Sequence, residues 1–319
     1  MNVVVTGAAG FIGMHLAKAL LERGDKVLGI DDINDYYDPQ LKKNRLSNLL
    51  EYKNFIFEKF DIQDQDLLFS NVGKFNPECI IHLAAQAGVR YSIQNPRIYM
   101  DVNLTGFFNI LELTKNLKCN LIFASSSSVY GSRENTTLTE SSNTDNPVSF
   151  YAATKKSNEL MASAYSKIYD LNIIGIRYFT VYGPWGRPDM APWIFTSKII
   201  NGDEIKVFNN GHMERDFTFI NDSVFGTILL LDTMNIQPKG YNVFNIGSNN
   251  KINIKNFINL LEENLGIKAK IRYAPMQDGD VISTQADIKK IRDYTGYEPR
   301  ILVNDGIKIW TNWYRSYQN

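Results

Sequence analysis

Along the N-terminal half, short uninterrupted apolar runs alternate with longer stretches in which apolar residues recur every three or four positions. The runs NVVVTG from Asn2, KVLGID from Lys26 and FIFEKFD from Phe55 predict strands, as do CIIHLAA from Cys79, NLIFASS from Asn120 and NIIGIRYF from Asn172. Between the first two, FIGMHLAKALLERG has helical spacing and stops at Gly24. Strands without polar alternation are buried on both faces. The pattern therefore predicts an α/β fold, a doubly wound parallel sheet of the Rossmann type with helices on both sides.

After Tyr178 the regularity breaks. TVYGPWGRPDMAPW carries three prolines and two glycines and reads as irregular chain. A helix is expected from Ile194 to Asn201, then DEIKVFNNGHMERDF, with an Asn-Asn-Gly turn between two strand-like pieces. INDSVFGTILLLD reads as helix, YNVFNIG as strand, and the chain closes on an aromatic helix, IKIWTNWYRSY. The expected organisation is a doubly wound domain over residues 1–178, with part of 217–247 returning to it. Residues 179–319 mainly form a smaller interleaved C-terminal lobe that caps the strand ends and takes the substrate.

Composition narrows the classes. The 319 residues carry 34 Lys plus Arg against 34 Asp plus Glu, so bulk attraction to nucleic acid or an anionic membrane is not expected. A hydrophobic content of 44% with 12% aromatics fits a folded globular chain. No apolar stretch approaches the roughly 18 residues that span a bilayer. The opening MNVVVTGAAG runs straight into a strand without a basic n-region or cleavage site. Cys79 and Cys119 offer no disulfide framework and no metal set. Together these features lead to the expectation of a cytoplasmic protein with reduced thiols and no bound metal.

Chemistry collects at the predicted strand ends. Gly7, Gly10 and Gly13, with Phe11 and Ile12 between them, lie directly after the first strand and open the first helix. Glycines there let backbone approach a pyrophosphate at a helix N-terminus. Asp31 ends the next strand and suits the ribose hydroxyls of NAD while repelling a 2′-phosphate, so NAD is expected over NADP. Asp61 and Ile62 follow the third strand, where an adenine edge could be held. Leu83, Ala84 and Ala85 follow the fourth, where small side chains let a cofactor cross the backbone. His82 beside them reads as a satisfied core residue.

In SFYAATKKSNEL, Tyr151 and Lys155 fall one helical turn apart on one face. An ammonium held beside a phenol favours phenolate, a base near neutral pH.

These motifs identify the chain as similar to the extended short-chain dehydrogenase/reductase family of nucleotide-sugar enzymes. The resemblance rests on Gly7-x-x-Gly10-x-x-Gly13, the serine run FASSSSVYG and Tyr151-x-x-x-Lys155, with RYF, VYGP and RDF further on. It implies that Ser126 orients the reacting sugar hydroxyl and that Asn103 and Tyr178 lie near substrate or nicotinamide. Sugar-nucleotide 4,6-dehydratases of the family carry an Asp-Glu pair before Val-Tyr-Gly, and the related decarboxylases a glutamate. Ser127 and Ser128 stand here instead and supply no such acid–base group. What remains is oxidation and return at one carbon, the chemistry of an epimerase.

YGPWGRPDMAPW, DDINDYYDPQLKKNRL, HLAAQAGVRYS and PMQDGDV resemble the UDP-glucuronate 4-epimerase subgroup, as does Thr180 where many relatives have asparagine. The resemblance implies a UDP-sugar substrate and a homodimer. On this reading Arg187 pairs with the sugar carboxylate, and Thr180, Ser127 and Ser128 add hydroxyl donors. Arg215 and Phe208 match positions used around the diphosphate and uracil, and Arg90 offers a further cation. Gln277 displaces the usual arginine of that last motif, so no phosphate role is expected there. The alternatives are a 4-epimerase for UDP-glucose or a UDP-N-acetylhexosamine, and, more remotely, a non-catalytic dinucleotide-sensing protein.

Overall fold

Seven parallel strands form the main sheet: β1 (Asn2–Thr6), β2 (Lys26–Ile30), β3 (Phe55–Glu58), β4 (Cys79–His82), β5 (Asn120–Ser126), β6 (Ile173–Tyr178) and, much later in the chain, a strand at Tyr241–Ile246. The computed structural model describes residues 1–132, 137–277 and 280–318. Three short strands precede that late one: β7 (Thr180–Tyr182), β8 (Glu204–Val207) and β9 (Glu214–Phe219). Tyr241–Ile246 is thus β10, followed by β11 (Lys251–Asn253) and β12 (Lys270–Tyr273). The order across the main sheet is β10-β6-β5-β4-β1-β2-β3.

The apolar runs explain this arrangement. In β1, Val3 and Val5 join one buried cluster and Val4 joins the other, all without exposure. A strand that buries both faces needs helices on both, which is the doubly wound α/β fold predicted above. Strand order reverses between β1 and β4, and in such sheets ligands bind in the crevice at the carboxyl ends beside the reversal. The register there sets Thr6 opposite His82, and Ser126 of β5 opposite Tyr178 of β6.

The C-terminal part departs from the sequence pattern at one place. The two pieces around Asn-Asn-Gly are strands, yet they do not pair with one another. Strand β8 runs parallel to β12, while β9 joins β7 and β11. Asn209, Asn210 and Gly211 all take positive φ, at 49°, 49° and 77°. Three successive left-handed residues swing the chain past the two-residue geometry that would keep the strands together.

The last helix, Val303–Gln318, lays an aromatic stripe against the irregular segment after β7. Trp313 meets Trp185 with ring centroids 5.2 Å apart, and Trp310 donates its indole N–H to Thr196 Oγ1 at 2.8 Å. This packing fixes the loop that carries Arg187. Among the described residues no helix is long and apolar enough to cross a membrane.

Candidate active site

A cavity of about 440 Å³ opens along the carboxyl ends of the main sheet. Its floor is the glycine turn. A Cβ built on Gly13 would stand 2.0 Å from the Gly7 carbonyl oxygen, and one on Gly7 would stand 2.8 Å from Ala84 N. Any side chain there would push the turn off the β4 end. Gly7, Gly10, Phe11, Ile12 and Gly13 line the cavity with Leu83, Ala84 and Ala85. Thr6 Oγ1 braces this corner by accepting from the Leu83 and Ala84 N–H groups at 3.2 Å each and bonding His82 Nδ1 at 2.8 Å. His82 is buried, and burial drops its pKa to about 3. It is a neutral core residue.

Asp31 closes the far end of the turn. Its carboxylate accepts from Ala9 N and Ile33 N at 3.1 and 2.9 Å, with Lys42 Nζ 3.5 Å away. Burial raises its pKa, and Lys42 and the backbone donors pull against that rise. Asp61 and Ile62 line the same end, Asp61 accepting from Gln63 N at 2.9 Å.

The four serines divide their duties. Ser125, at the cavity edge, donates to Glu159 Oε1 at 2.6 Å, inside the sheet–helix interface. Ser126 ends the strand and accepts from Ser128 N at 3.1 Å, which starts the 3-10 turn Ser127–Tyr130. Ser126, Ser127 and Ser128 line the cavity with Thr180, Tyr151 and Lys155. Tyr178 lines it too, while its hydroxyl is bonded to Thr227 Oγ1 at 2.7 Å.

Tyr151 and Lys155 sit in the first turns of the long helix Phe150–Tyr169, which Ser149 caps by accepting from Ala152 N. The pair differs from the sequence expectation. Lys155 Nζ donates to the Ala124 carbonyl at 2.8 Å, across to β5. Burial raises the Tyr151 pKa, and the groups opposing that rise are the Ser126 hydroxyl and the Arg187 charge. Shared helix face brings the side chains alongside, but the strand carbonyl is the partner within reach of the ammonium. Burial also lowers Lys155 to about 8.

Asn103 is a second correction. It lies buried in a π-helical turn, Met100–Gly106, and does not line the cavity. Its amide accepts from Gln86 N at 2.8 Å and donates to Gln86 O at 3.0 Å and Thr154 Oγ1 at 3.1 Å. A fully engaged side chain clamps the backbone that follows β4 and has no donor left for a substrate.

Arg187 lines the cavity and pairs with Asp189, Nε to Oδ1 at 3.0 Å. Burial opposes its charge, yet the Asp189 carboxylate holds the guanidinium above its ordinary pKa. The loop owes its shape to Arg45, which has no exposure. That guanidinium donates to the Trp185 carbonyl at 2.7 and 3.0 Å, to Gly186 O at 3.0 Å and to Tyr37 Oη at 2.6 Å. Arg45, Lys42, Tyr36 and Asp189 went unassigned in the sequence reading, although all lie inside the quoted stretches DDINDYYDPQLKKNRL and GRPDM.

Arg90, Phe208 and Arg215 gather elsewhere and do not line this cavity. The Arg90 guanidinium lies 5.3 Å from the Phe208 ring centroid and 3.9 Å from Asp280, to which Arg215 donates at 2.7 Å. Gln277 Oε1 is buried there without a partner among the described residues. Asp278 and Gly279 of the same motif lie outside the described residues.

The model for the family described as GDP-mannose 4,6 dehydratase matches residues 4–310. The chain belongs to that family. Protein CapI of Staphylococcus aureus is 44% identical over 332 residues, covering 99% of each chain. UDP-glucuronate 4-epimerase 4 of Arabidopsis thaliana is 42% identical over 332 residues, covering 99% of this chain and 76% of the relative. Among solved structures, the UDP-glucuronic acid 4-epimerase of Bacillus cereus, in complex with UDP-glucuronic acid and NAD, superposes with a TM-score of 0.94. It is 33% identical, covering 99% of this chain and all of that one. The family is thus broader than the reaction in its name, and within it Ser127 and Ser128 occupy the stretch where the resemblance leads one to look for a dehydratase's acids. The residues of this family member also fit NAD: a turn that only glycine fills, and a buried carboxylate at the end of β2.

Proposed function

We propose that this chain catalyses the reversible NAD-dependent C4 epimerisation of UDP-glucuronate and UDP-galacturonate through a 4-keto sugar. The single observation that carries this reading is the composition of the cavity wall. Tyr151 and Ser126 stand beside three further hydroxyls, Ser127, Ser128 and Thr180, and one guanidinium, Arg187, with no carboxylate in the serine run. Relatives named for the same reaction support it.

Gly7 to Gly13, Asp31, Asp61, Ile62, Leu83, Ala84 and Ala85 would hold NAD, which when bound supplies the two-electron acceptor and donor at C4. Tyr151 takes the proton of the C4 hydroxyl while Ser126 fixes that oxygen by hydrogen bonding. The Ser126 hydroxyl, and after it the Arg187 charge that Asp189 partly offsets, favour the phenolate against burial. Lys155, tied to Ala124 O, sits on the cavity wall where the nicotinamide ribose and ring would lie. Ser127, Ser128, Thr180 and Arg187 hold the sugar carboxylate. Arg90, Phe208 and Arg215 bind the nucleotide end. Net redox change is zero, so the cofactor stays.

A homodimer is part of this reading. Leu160 and Ile168 on the helix Phe150–Tyr169 are 60% and 69% exposed, and Phe108 on the neighbouring helix Phe107–Leu117 is 43% exposed, an apolar face that supports helix pairing between copies. Light scattering at micromolar protein tests it, a monomer mass contradicting it. The buried free thiols Cys79 and Cys119 support a cytoplasmic setting.

The test of function is a side-by-side incubation with UDP-glucuronate and UDP-glucose, with products separated chromatographically. UDP-galacturonate from the first and little change in the second is the expected result. Conversion of UDP-glucose at a similar rate would move the assignment to the neutral-sugar alternative.

A further inference from the structure

Asp189 takes one edge of the Arg187 guanidinium and leaves the other. Its oxygens accept from Nε and Nη2, the side-on pair of donors, and its Oδ2 also accepts from the Tyr36 hydroxyl at 3.1 Å. Nη1 has no hydrogen-bond partner among the described residues, so the end-on edge keeps donors for a second carboxylate. Arg187 and Tyr36 line the cavity, whereas Asp189 stands behind them.

We propose that Asp189 is a specificity-determining residue: it neutralises Arg187 so that the uronate carboxylate is recognised by directed hydrogen bonds without being gripped by a net charge. This rests on the function proposed above. A bidentate guanidinium–carboxylate pair in a cleft is among the stronger polar contacts. For a carboxylate on the Nη1 edge, Asp189 stands farther away than the guanidinium does, so its repulsion cancels part of the Arg187 attraction and leaves the rest. Cancellation matters for this reaction because C4 must present both faces in turn, so the carboxylate has to leave its first position before the second half-reaction. A grip confined to one orientation stabilises the bound sugar and slows its turning. Tyr36, packed on Tyr91 with centroids 4.9 Å apart, keeps Asp189 in place. A sugar with a hydroxymethyl group carries no anion there and would not sense the cancellation.

Steady-state kinetics of Asp189→Asn tests this, since the substitution keeps shape and removes charge. The expected result with UDP-glucuronate is a fall of about five- to tenfold in both KM and kcat, leaving kcat/KM nearly unchanged. Inhibition by UDP-glucose should stay within about twofold of wild type. Tyr36→Phe, which removes one donor to Asp189, should shift KM the same way by less, and it carries the test if Asp189→Asn does not fold. A raised KM with unchanged kcat would mean that Asp189 only orients Arg187, and would overturn the proposal. Unchanged constants, or an equal change in the UDP-glucose inhibition constant, would overturn it too. If the wild-type protein leaves UDP-glucuronate unconverted, the functional reading itself falls and this inference with it. An active wild type with an unresponsive Asp189→Asn removes this inference alone.

Discussion

Glu159 receives Ser125 Oγ at 2.6 Å on the same carboxylate that pairs with Arg177 at 2.8 Å. Three elements meet in that network: the helix of Tyr151 and Lys155, strand β5 ending in Ser126, and strand β6 ending in Tyr178. The ion pair is almost fully buried, with side chains 4% and 5% exposed. It fixes the distance between the two groups assigned to the reacting hydroxyl.

Glu159→Ala would leave a buried guanidinium uncompensated, at a cost of about 3–5 kcal/mol. Urea unfolding checks this. A loss below about 1 kcal/mol would mean that the network does not hold the helix to the sheet.

Gly13→Ala places a methyl group where the Gly7 carbonyl stands 2.0 Å away. The backbone turn must open, so the purified variant should lose bound NAD and rebind it at least about tenfold more weakly. Nucleotide released by denaturing wild type and variant gives the comparison; equal content would show that the turn does not hold the cofactor.

Lys155 titrates near 8 in the folded protein because of burial, against 10.5 as its ordinary value. Below both values the ammonium is charged folded and unfolded, and its desolvation cost is fully present. Between them the unfolded chain binds more protons, so this group adds stability as pH rises. Cofactor-free wild type should therefore gain on Lys155→Met across that window, by up to about 3 kcal/mol. A difference in unfolding free energy that stays flat with pH would contradict the burial argument.

Ser127 and Ser128 bear on a chemical hazard of the proposed intermediate. A 4-keto uronate is a β-keto acid and loses CO₂ readily when its C5–C6 bond stands perpendicular to the ketone plane, so that the bond's electrons pass into the enolate. The double substitution Ser127→Ala/Ser128→Ala should release more CO₂ and UDP-pentose per turnover than wild type. Unchanged release would remove the role given to these hydroxyls.

The parallel sheet was legible because its strands advertise themselves as uninterrupted apolar runs, and the glycine turn because its spacing has a steric cause. Tyr151 and Ser126 were legible through motif. Lys155 reaches the cavity wall, but its bond to the Ala124 carbonyl is not written in the spacing, since helical spacing says which face a side chain shares and not which carbonyl lies opposite. Asn103 was misread for a related reason: its hydrogen bonds go to Gln86 and Thr154, contacts made only by folding. Arg45 drew no notice because a charged residue in a polar stretch looks solvated until the Trp185 loop closes over it, and Asp189 because its pairing with Arg187 does not show in the sequence.

The most direct test of C4-only chemistry is proton NMR of UDP-glucuronate turned over in D₂O without added coenzyme. The account predicts UDP-galacturonate that keeps its hydrogen at C4 and gains no deuterium at C5, because the reacting centre is C4 and no acid–base group in the serine run serves C5. Deuterium at C5 would place a base at that carbon and contradict the account.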